Sequence, residues 1–241
     1  MQLVELYLAQ KQAQLVKHPF FLDLERNSTF PDALTFAPDL TFWVMAFQDI
    51  LRLNTKRTRE REILRMVKHH RAEDAGHERW FLADLAVLNM PTPDVKLLFG
   101  KEHAPTRDAA YALISEVFRT NDDRLRLILV KTLESAGHIF FERVARIVED
   151  AKHTNLLKYF SFNHLEIEKN HEVFEREMAE KISSIQLPPE TRREAEDLVD
   201  RCYNAFNSMF DALRAPEAQD ADPTALGVGD SERRVLGGRR R

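Results

Sequence analysis

Residues 122–152 read DDRLRLILVKTLESAGHIFFERVARIVEDAK, a stretch that contains no proline and a single glycine. Large apolar side chains recur in it at steps of three and four residues, which is the spacing of one face of an α-helix. The stretch therefore predicts one long amphipathic helix with a buried face. The residues predicted on that face are Leu127, Val130, Glu134, Gly137, Phe141, Val144 and Val148.

The same period extends over most of the chain, and no stretch shows the alternating pattern of a β-strand. Further helices are predicted over about 2–17, 39–54, 57–88, 106–119, 156–182 and 190–213. The predicted fold class is therefore all-α, a single bundle of about seven helices formed by residues 1–214. Residues 215–241 are poor in large apolar side chains and rich in Gly, Pro, Asp and Arg, so a disordered tail is predicted there.

Composition narrows the functional classes. The formal net charge is −4, and no predicted helix carries a basic stripe, so a nucleic-acid partner is not expected. The only cysteine, Cys202, excludes an internal disulfide and fits a reducing compartment. Neither a long apolar run nor a signal-peptide pattern occurs, so we expect a cytoplasmic protein without a membrane partner. The long apolar helices are compatible with a homodimer.

The predicted helix 156–182 places two histidines on its apolar face. That face comprises Leu157, Phe160, His164, Ile167, His171, Phe174 and Met178. Glu168 follows His164 by four residues and precedes His171 by three, so its carboxylate can reach the same space. The motif H-x-x-x-E-x-x-H therefore directs two imidazoles and one carboxylate toward the interior of the bundle.

Glu134 lies in the middle of the apolar face predicted for residues 122–152. A buried carboxylate without a partner is costly, so it must be protonated, paired or bound to a metal. His138, one turn further on, is the nearest basic group on that side and is a reserve candidate for a ligand. A lone core histidine, however, is more often a hydrogen-bonded packing residue.

A third source of ligands is the stretch HHRAEDAGHERWFLADL, residues 69–85. Helical geometry puts Asp74 near the centre of the predicted buried face and His70 and His77 within about half a right angle of it. Glu73 falls at the edge of the same face. Asp74 and His77 are therefore the preferred pair of ligands, with Glu73 and His70 as reserves.

Ligand-type residues on the buried faces of three separate helices indicate a metal site. Carboxylates and imidazoles in a bundle core suit a pair of iron ions, or manganese, whereas zinc would need only four ligands. Asp49, on the apolar face of the 39–54 helix, is either a further ligand or a core carboxylate held by hydrogen bonds. The predicted ligands are Asp74, His77, Glu134, His164, Glu168 and His171.

These motifs resemble those of the haem-oxygenase-like di-iron oxidases. The shared features are Glu73-Asp74-x-x-His77, a glutamate roughly sixty residues later, and H-x-x-x-[DE]-x-x-H about thirty residues further on. The family shares its fold with thiaminase-like and pyrroloquinoline-quinone-synthase-like proteins, and His18-Pro19-Phe20 is similar to the corresponding segment of that wider group. The resemblance covers about residues 10–210.

The resemblance implies a ligand set and an activity. Asp74 stands where the family often has Glu, and Glu168 stands where it often has Asp. Family members oxidise small molecules with O₂, so it implies a non-haem di-iron oxidase or oxygenase for a fatty-acid- or amino-acid-like substrate. The iron ligands that it implies are His77, Glu134, His164, Glu168 and His171.

Two other functions stay open. The first is a metal-free, quinone-synthase-like oxidase, whose histidines would bind and protonate an organic substrate. The second is a non-catalytic metal-binding helical protein. A thiaminase-like hydrolase is disfavoured, because its cysteine nucleophile lies in the core whereas Cys202 lies in the final helix. Aromatic residues that could line a substrate pocket, and that otherwise belong to the core, are Phe42, Trp43, Phe47, Phe140, Phe141, Phe160 and Phe162.

Overall fold

The longest helix among the described residues, α8, covers Asp123–Asp150 and confirms the helix predicted over 122–152. The computed structural model describes residues 1–27, 30–152, 156–162, 164 and 180–214, and all structural statements concern these. Within these ranges the chain is all-helical and contains no strand, so the predicted fold class is confirmed. The tail predicted over 215–241, and most of the helix predicted over 156–182, lie outside the described residues.

Most of the other described helices begin and end within a few residues of the predicted boundaries. They are α1 Gln2–Leu15, α2 Pro19–Asn27, α3 Thr41–Arg57, α4 Arg61–Glu73, α5 His77–Val87, α6 Val95–Leu98, α7 Ala104–Arg119 and α9 Pro189–Leu213. Two short 3₁₀ turns, Asp32–Leu34 and Ala37–Leu40, lead into α3. Helices α2 and α6 are short and were not predicted, since a single turn or two carries little periodic signal.

Helix α8 packs against α1, α2, α4, α7 and α9, so it is surrounded on several sides. Its buried arc accordingly includes Leu133, Ala136 and Phe140 as well as the predicted Val144. Glu134 falls at the edge of that arc, with 50 % of its side chain exposed. The prediction that Glu134 is buried is therefore wrong. Both ends of the predicted face are buried as expected, but in the middle of α8 the buried positions lie one residue earlier than the spacing indicates.

The single helix predicted over 57–88 is interrupted in its middle. Helix α4 ends at Glu73, Asp74 forms its C-cap, and α5 begins at His77. Gly76 between them has φ of +100°, a left-handed conformation that glycine adopts without the steric cost of a Cβ atom. The break places Asp74 and His77 at a helix junction instead of inside a continuous helix.

Among the described residues, no helix combines the length and the apolarity that crossing a membrane would require.

Candidate metal centre

Helices α3, α5, α8 and α9, together with the segment around Tyr159, enclose a cavity of about 80 Å³. Its apolar lining residues are Leu40, Trp43, Val44, Phe47, Leu133, Ala136, Phe140, Phe141, Phe206, Met209 and Phe210. Its polar or ionisable lining residues are Gln48, Asp74, His77, Glu78, Glu134, His138, Tyr159 and His164. The cavity therefore joins a cluster of ligand-type side chains to an aromatic chamber.

Four of the aromatic residues named from the sequence line this cavity, namely Trp43, Phe47, Phe140 and Phe141. The other three, Phe42, Phe160 and Phe162, do not line it. Phe42 packs edge-on against Phe99 and Tyr111, and the fully buried Phe160 packs against Phe81. The sequence did not indicate Phe206 and Phe210, which reach the cavity from α9.

A first group of ligand-type atoms consists of His70, Asp74 and Glu134, whose ligand atoms all lie within 4.8 Å of one another. His70 Nε2 is 3.1 Å from Asp74 Oδ2 and 3.2 Å from Glu134 Oε1. Helix α4 supplies His70, the α4–α5 junction supplies Asp74, and α8 supplies Glu134. Packing of α4 on α8 is what brings a histidine and a glutamate 64 residues apart together.

A second group consists of Asp74, His77 and His164. Asp74 Oδ1 is 3.3 Å from His77 Nδ1, and His77 Nδ1 is 3.0 Å from His164 Nε2. Asp74 therefore belongs to both groups, with Oδ2 toward His70 and Oδ1 toward His77. In the structure, Asp74 lies between the two groups.

The spacing of the first group fits cation binding. Two ligand atoms at ~2.1 Å from one ion and at a right angle to each other would be about 3 Å apart, close to the distances of 3.1 and 3.2 Å from His70 Nε2 to Asp74 Oδ2 and Glu134 Oε1. His70 Nε2 and Asp74 Oδ2 are also buried, and within the described part of the chain neither makes a hydrogen bond. Nitrogen and oxygen ligands without sulfur suit iron or manganese.

The four reserve candidates for metal ligands lie in different parts of the structure. His70 belongs to the first group, whereas Glu73 lies outside the cavity lining and its Oε1 is 2.8 Å from His69 Nε2. Asp49 is exposed and pairs with Arg52 at 2.8 Å, so its predicted place in the core is wrong. His138 is exposed and lines the cavity. Of the six predicted ligands, Glu168 and His171 lie outside the described residues.

The protonation state of His164 is set by its surroundings. Only 1 % of the residue is exposed, and burial, followed by the neighbouring His77, lowers its pKa to about 4. The ring is therefore neutral near pH 7. Its Nδ1 donates a hydrogen bond to the carbonyl of Tyr159 at 3.0 Å, which leaves a lone pair on Nε2, the atom that faces His77.

A pH dependence follows for the metal-free protein. The pKa of His164 is lower in the folded state, so the unfolded state takes up the proton first as the pH falls. The contribution of His164 to the free energy of unfolding is complete above pH 6.5, its ordinary pKa, and is lost between there and about pH 4. We expect a loss on the order of 3 kcal/mol, measured by urea unfolding at several pH values.

His164→Gln is the matched variant for this measurement, because it should remove that part of the pH dependence. An NMR titration in which His164 of the metal-free protein takes up its proton near pH 6.5 would contradict the expectation.

Cys202 is fully buried in α9 and does not line the cavity. Burial raises the pKa of its thiol far above the ordinary range, so the thiolate that acts as a nucleophile is not formed near neutral pH. Since the chain has no other cysteine, the cavity offers no thiol for a covalent mechanism.

Comparison with known proteins adds information on the fold. No family model matches the sequence, and no curated protein matches it. The chain is similar in structure to a TenA homologue from Pyrococcus furiosus, with a TM-score of 0.60 and 11 % sequence identity. The match covers 86 % of this chain and 95 % of that one. The likeness shows that the chain shares the all-helical fold of that protein.

Proposed function

We propose that the protein is a non-haem oxidase or oxygenase that binds two iron ions and uses O₂ to oxidise a small organic molecule. The observation that supports this proposal most directly is the position of Asp74, whose two oxygens face two different groups of ligand-type atoms. A carboxylate between two imidazole-containing groups in a helical bundle is typical of sites for paired iron or manganese ions. The resemblance of the sequence motifs to di-iron oxidases supports the same proposal.

In this proposal His70, Asp74 and Glu134 would hold one ion, and Asp74, His77 and His164 would hold the second. Glu168 and His171 are proposed as further ligands on the strength of their motif alone. When bound, two Fe(II) ions would supply electrons for the reduction of O₂. The remaining task of the protein is to orient the ligands and to exclude water.

The aromatic chamber beside the ligands is proposed to hold the substrate. Trp43, Phe47, Phe140 and Phe206 present rings to the cavity, and such walls favour the apolar part of a small molecule while keeping water away from the reacting atoms. Glu134 is half exposed at the cavity, so the first metal position is the one nearer to solvent. The fatty-acid- or amino-acid-like nature of the substrate rests on the resemblance alone.

A metal-free, quinone-synthase-like oxidase is the second candidate, and one observation favours it. The hydrogen bond between His77 Nδ1 and His164 Nε2, 3.0 Å long, is complete without a cation. In such a protein the two rings would bind an organic substrate and exchange protons with it. A measurement of metal content separates the two candidates.

The test is an anaerobic titration with Fe(II), followed by desalting and measurement of iron per chain. We expect close to two ions in the natural protein and about one in Glu134→Gln, because that variant loses a ligand of the first position only. Glu142→Gln is the matched control, since Glu142 lies two turns further along α8 and pairs with Arg146. It should retain both ions.

Failure to retain any iron at saturating Fe(II) would contradict the proposal and favour the metal-free oxidase. The iron-loaded protein is then mixed with O₂, with and without candidate organic acids. Substrate-accelerated O₂ consumption is the expected result. O₂ consumption that no organic compound accelerates would instead support a non-catalytic metal-binding role.

A further inference from the structure

Asp84 is a buried carboxylate that has no place in the site described so far. It lies on α5 two turns after His77, is 1 % exposed, and is not among the residues that line the cavity. Burial raises the pKa of its carboxyl group, and hydrogen bonds from the backbone oppose that shift. A carboxylate in this position needs a structural reason, because an unpaired buried charge is costly.

The partners of Asp84 are the backbone N–H groups of three consecutive residues. Lys158 N donates to Oδ1 at 2.9 Å and to Oδ2 at 3.1 Å. Tyr159 N and Phe160 N donate to Oδ2 at 2.8 and 3.0 Å. Convergent N–H donors stabilise the charged form of a carboxylate. Asp84 therefore attaches the turn at residues 158–160 to helix α5.

The same turn holds His164. The Tyr159 N–H donates to Asp84, while the Tyr159 carbonyl accepts a hydrogen bond from His164 Nδ1 at 3.0 Å. A carbonyl can only accept, so Nδ1 must carry the proton of the neutral ring. Nε2 then has the lone pair, and it is the atom 3.0 Å from His77 Nδ1.

Helix α5 determines the positions of both imidazoles, those of His77 and His164. His77 and Asp84 are seven residues apart on α5, which corresponds to two turns on the same face. His77, at the start of α5, supplies one imidazole directly. Asp84, further along the helix, holds the backbone that orients the imidazole of His164. The relative position of His77 and His164 is set through α5 although the two residues are 87 positions apart.

We infer that Asp84 is a positioning residue, which fixes the orientation and the Nδ1–H tautomer of His164 through the backbone of residues 158–160. The tautomer is a property of the metal-free protein. Only the consequence for metal affinity rests on the proposed function, because it requires His164 Nε2 to be a ligand. Groups that orient a ligating histidine typically change metal affinity by ~10–100-fold when they are removed.

The decisive variant is Asp84→Asn, which keeps the shape of the side chain. An amide has one oxygen for the three donors and turns its NH₂ group toward N–H groups, so the turn should loosen. Asp122→Asn is the matched control. Asp122 also accepts a backbone N–H, from Arg124 at 2.9 Å, but it caps α8 and pairs with the side chain of Arg124 instead of holding residues 158–160. Asp84→Glu retains the charge and is used if Asp84→Asn does not fold.

The first measurement is the ¹⁵N chemical shifts of His164 in the metal-free protein, assigned by comparison with His164→Gln. We expect the Nδ1–H form alone in the natural protein and in Asp122→Asn, and a mixture of both tautomers in Asp84→Asn. The second is Co(II) affinity, as an O₂-insensitive probe, which should fall by ~10–100-fold in Asp84→Asn and by less than about twofold in Asp122→Asn.

An unchanged tautomer in folded Asp84→Asn or Asp84→Glu would overturn the inference, whatever happens to Co(II) affinity. The same holds if Asp122→Asn disturbs His164 as much as Asp84→Asn does, because the effect would then be a general loss of stability. If the tautomer changes but even the natural protein binds neither Co(II) nor Fe(II), the positioning role is supported and the proposed function fails.

Discussion

Asp74→Asn is expected to remove metal binding at both positions, so that well under one iron ion per chain is retained. Asp74 is the carboxylate shared by the two groups, 3.1 Å from His70 and 3.3 Å from His77. An amide of the same shape has no negative charge to balance two cations and offers a single oxygen. Loss of a direct, shared ligand should exceed the ~10–100-fold effect of losing an outer-shell partner.

Glu73→Gln is the matched control for this variant, because it neutralises the adjacent carboxylate. Glu73 lies outside the cavity lining, and its Oε1 is 2.8 Å from His69 Nε2. Iron content after anaerobic loading and desalting should stay near two ions per chain in this control. If Glu73→Gln loses the iron and Asp74→Asn keeps it, the assignment of the shared carboxylate is wrong.

The largest effect on stability is expected for Phe81→Ala. Phe81 is fully buried on α5 between His77 and Asp84, and its ring packs edge-on against Tyr159 at 5.3 Å and Phe160 at 5.9 Å. Truncation leaves a cavity that these neighbours cannot fill, which typically costs ~3–5 kcal/mol. For a domain of this size that corresponds to a melting temperature lower by roughly 10 °C.

Phe118→Ala provides the comparison, because Phe118 is 50 % exposed near the end of α7. Its truncation removes a contact with Arg57 and should cost less than ~1 kcal/mol. Thermal and urea unfolding of the two variants give the difference directly. Equal melting temperatures for Phe81→Ala and Phe118→Ala would show that the α5 contact with residues 159–160 is not a rigid part of the core.

The sequence alone was sufficient for the fold class and for most of the helices. Apolar residues at steps of three and four residues indicate a helix from the local sequence alone. Helices α8 and α9 could therefore be located without knowledge of the segments that pack against them. The same reasoning placed Asp74, and not Glu73, on the inward side. Ligand-type residues on separate helices were recognisable because their charge or polarity interrupts an otherwise apolar face.

Only the tertiary structure decided which of these residues come together. The periodicity of a helix does not reveal which part of its surface is covered by neighbouring helices. Glu134 therefore lies half exposed at the cavity, although the spacing of apolar residues placed it in the core. The positive φ of Gly76 interrupts the predicted helix 57–88 and lets Asp74 face both His70 and His77.

The support of His164 by Asp84 illustrates the limit of sequence reasoning most clearly. Asp84 and its backbone donors are 74 to 76 residues apart, and backbone N–H groups carry no residue-specific signal. A buried aspartate in an apolar helix indicates that a partner exists, because burial without one is costly. Which partner it finds depends on the packing of distant segments, and periodicity within one helix contains no information about that packing.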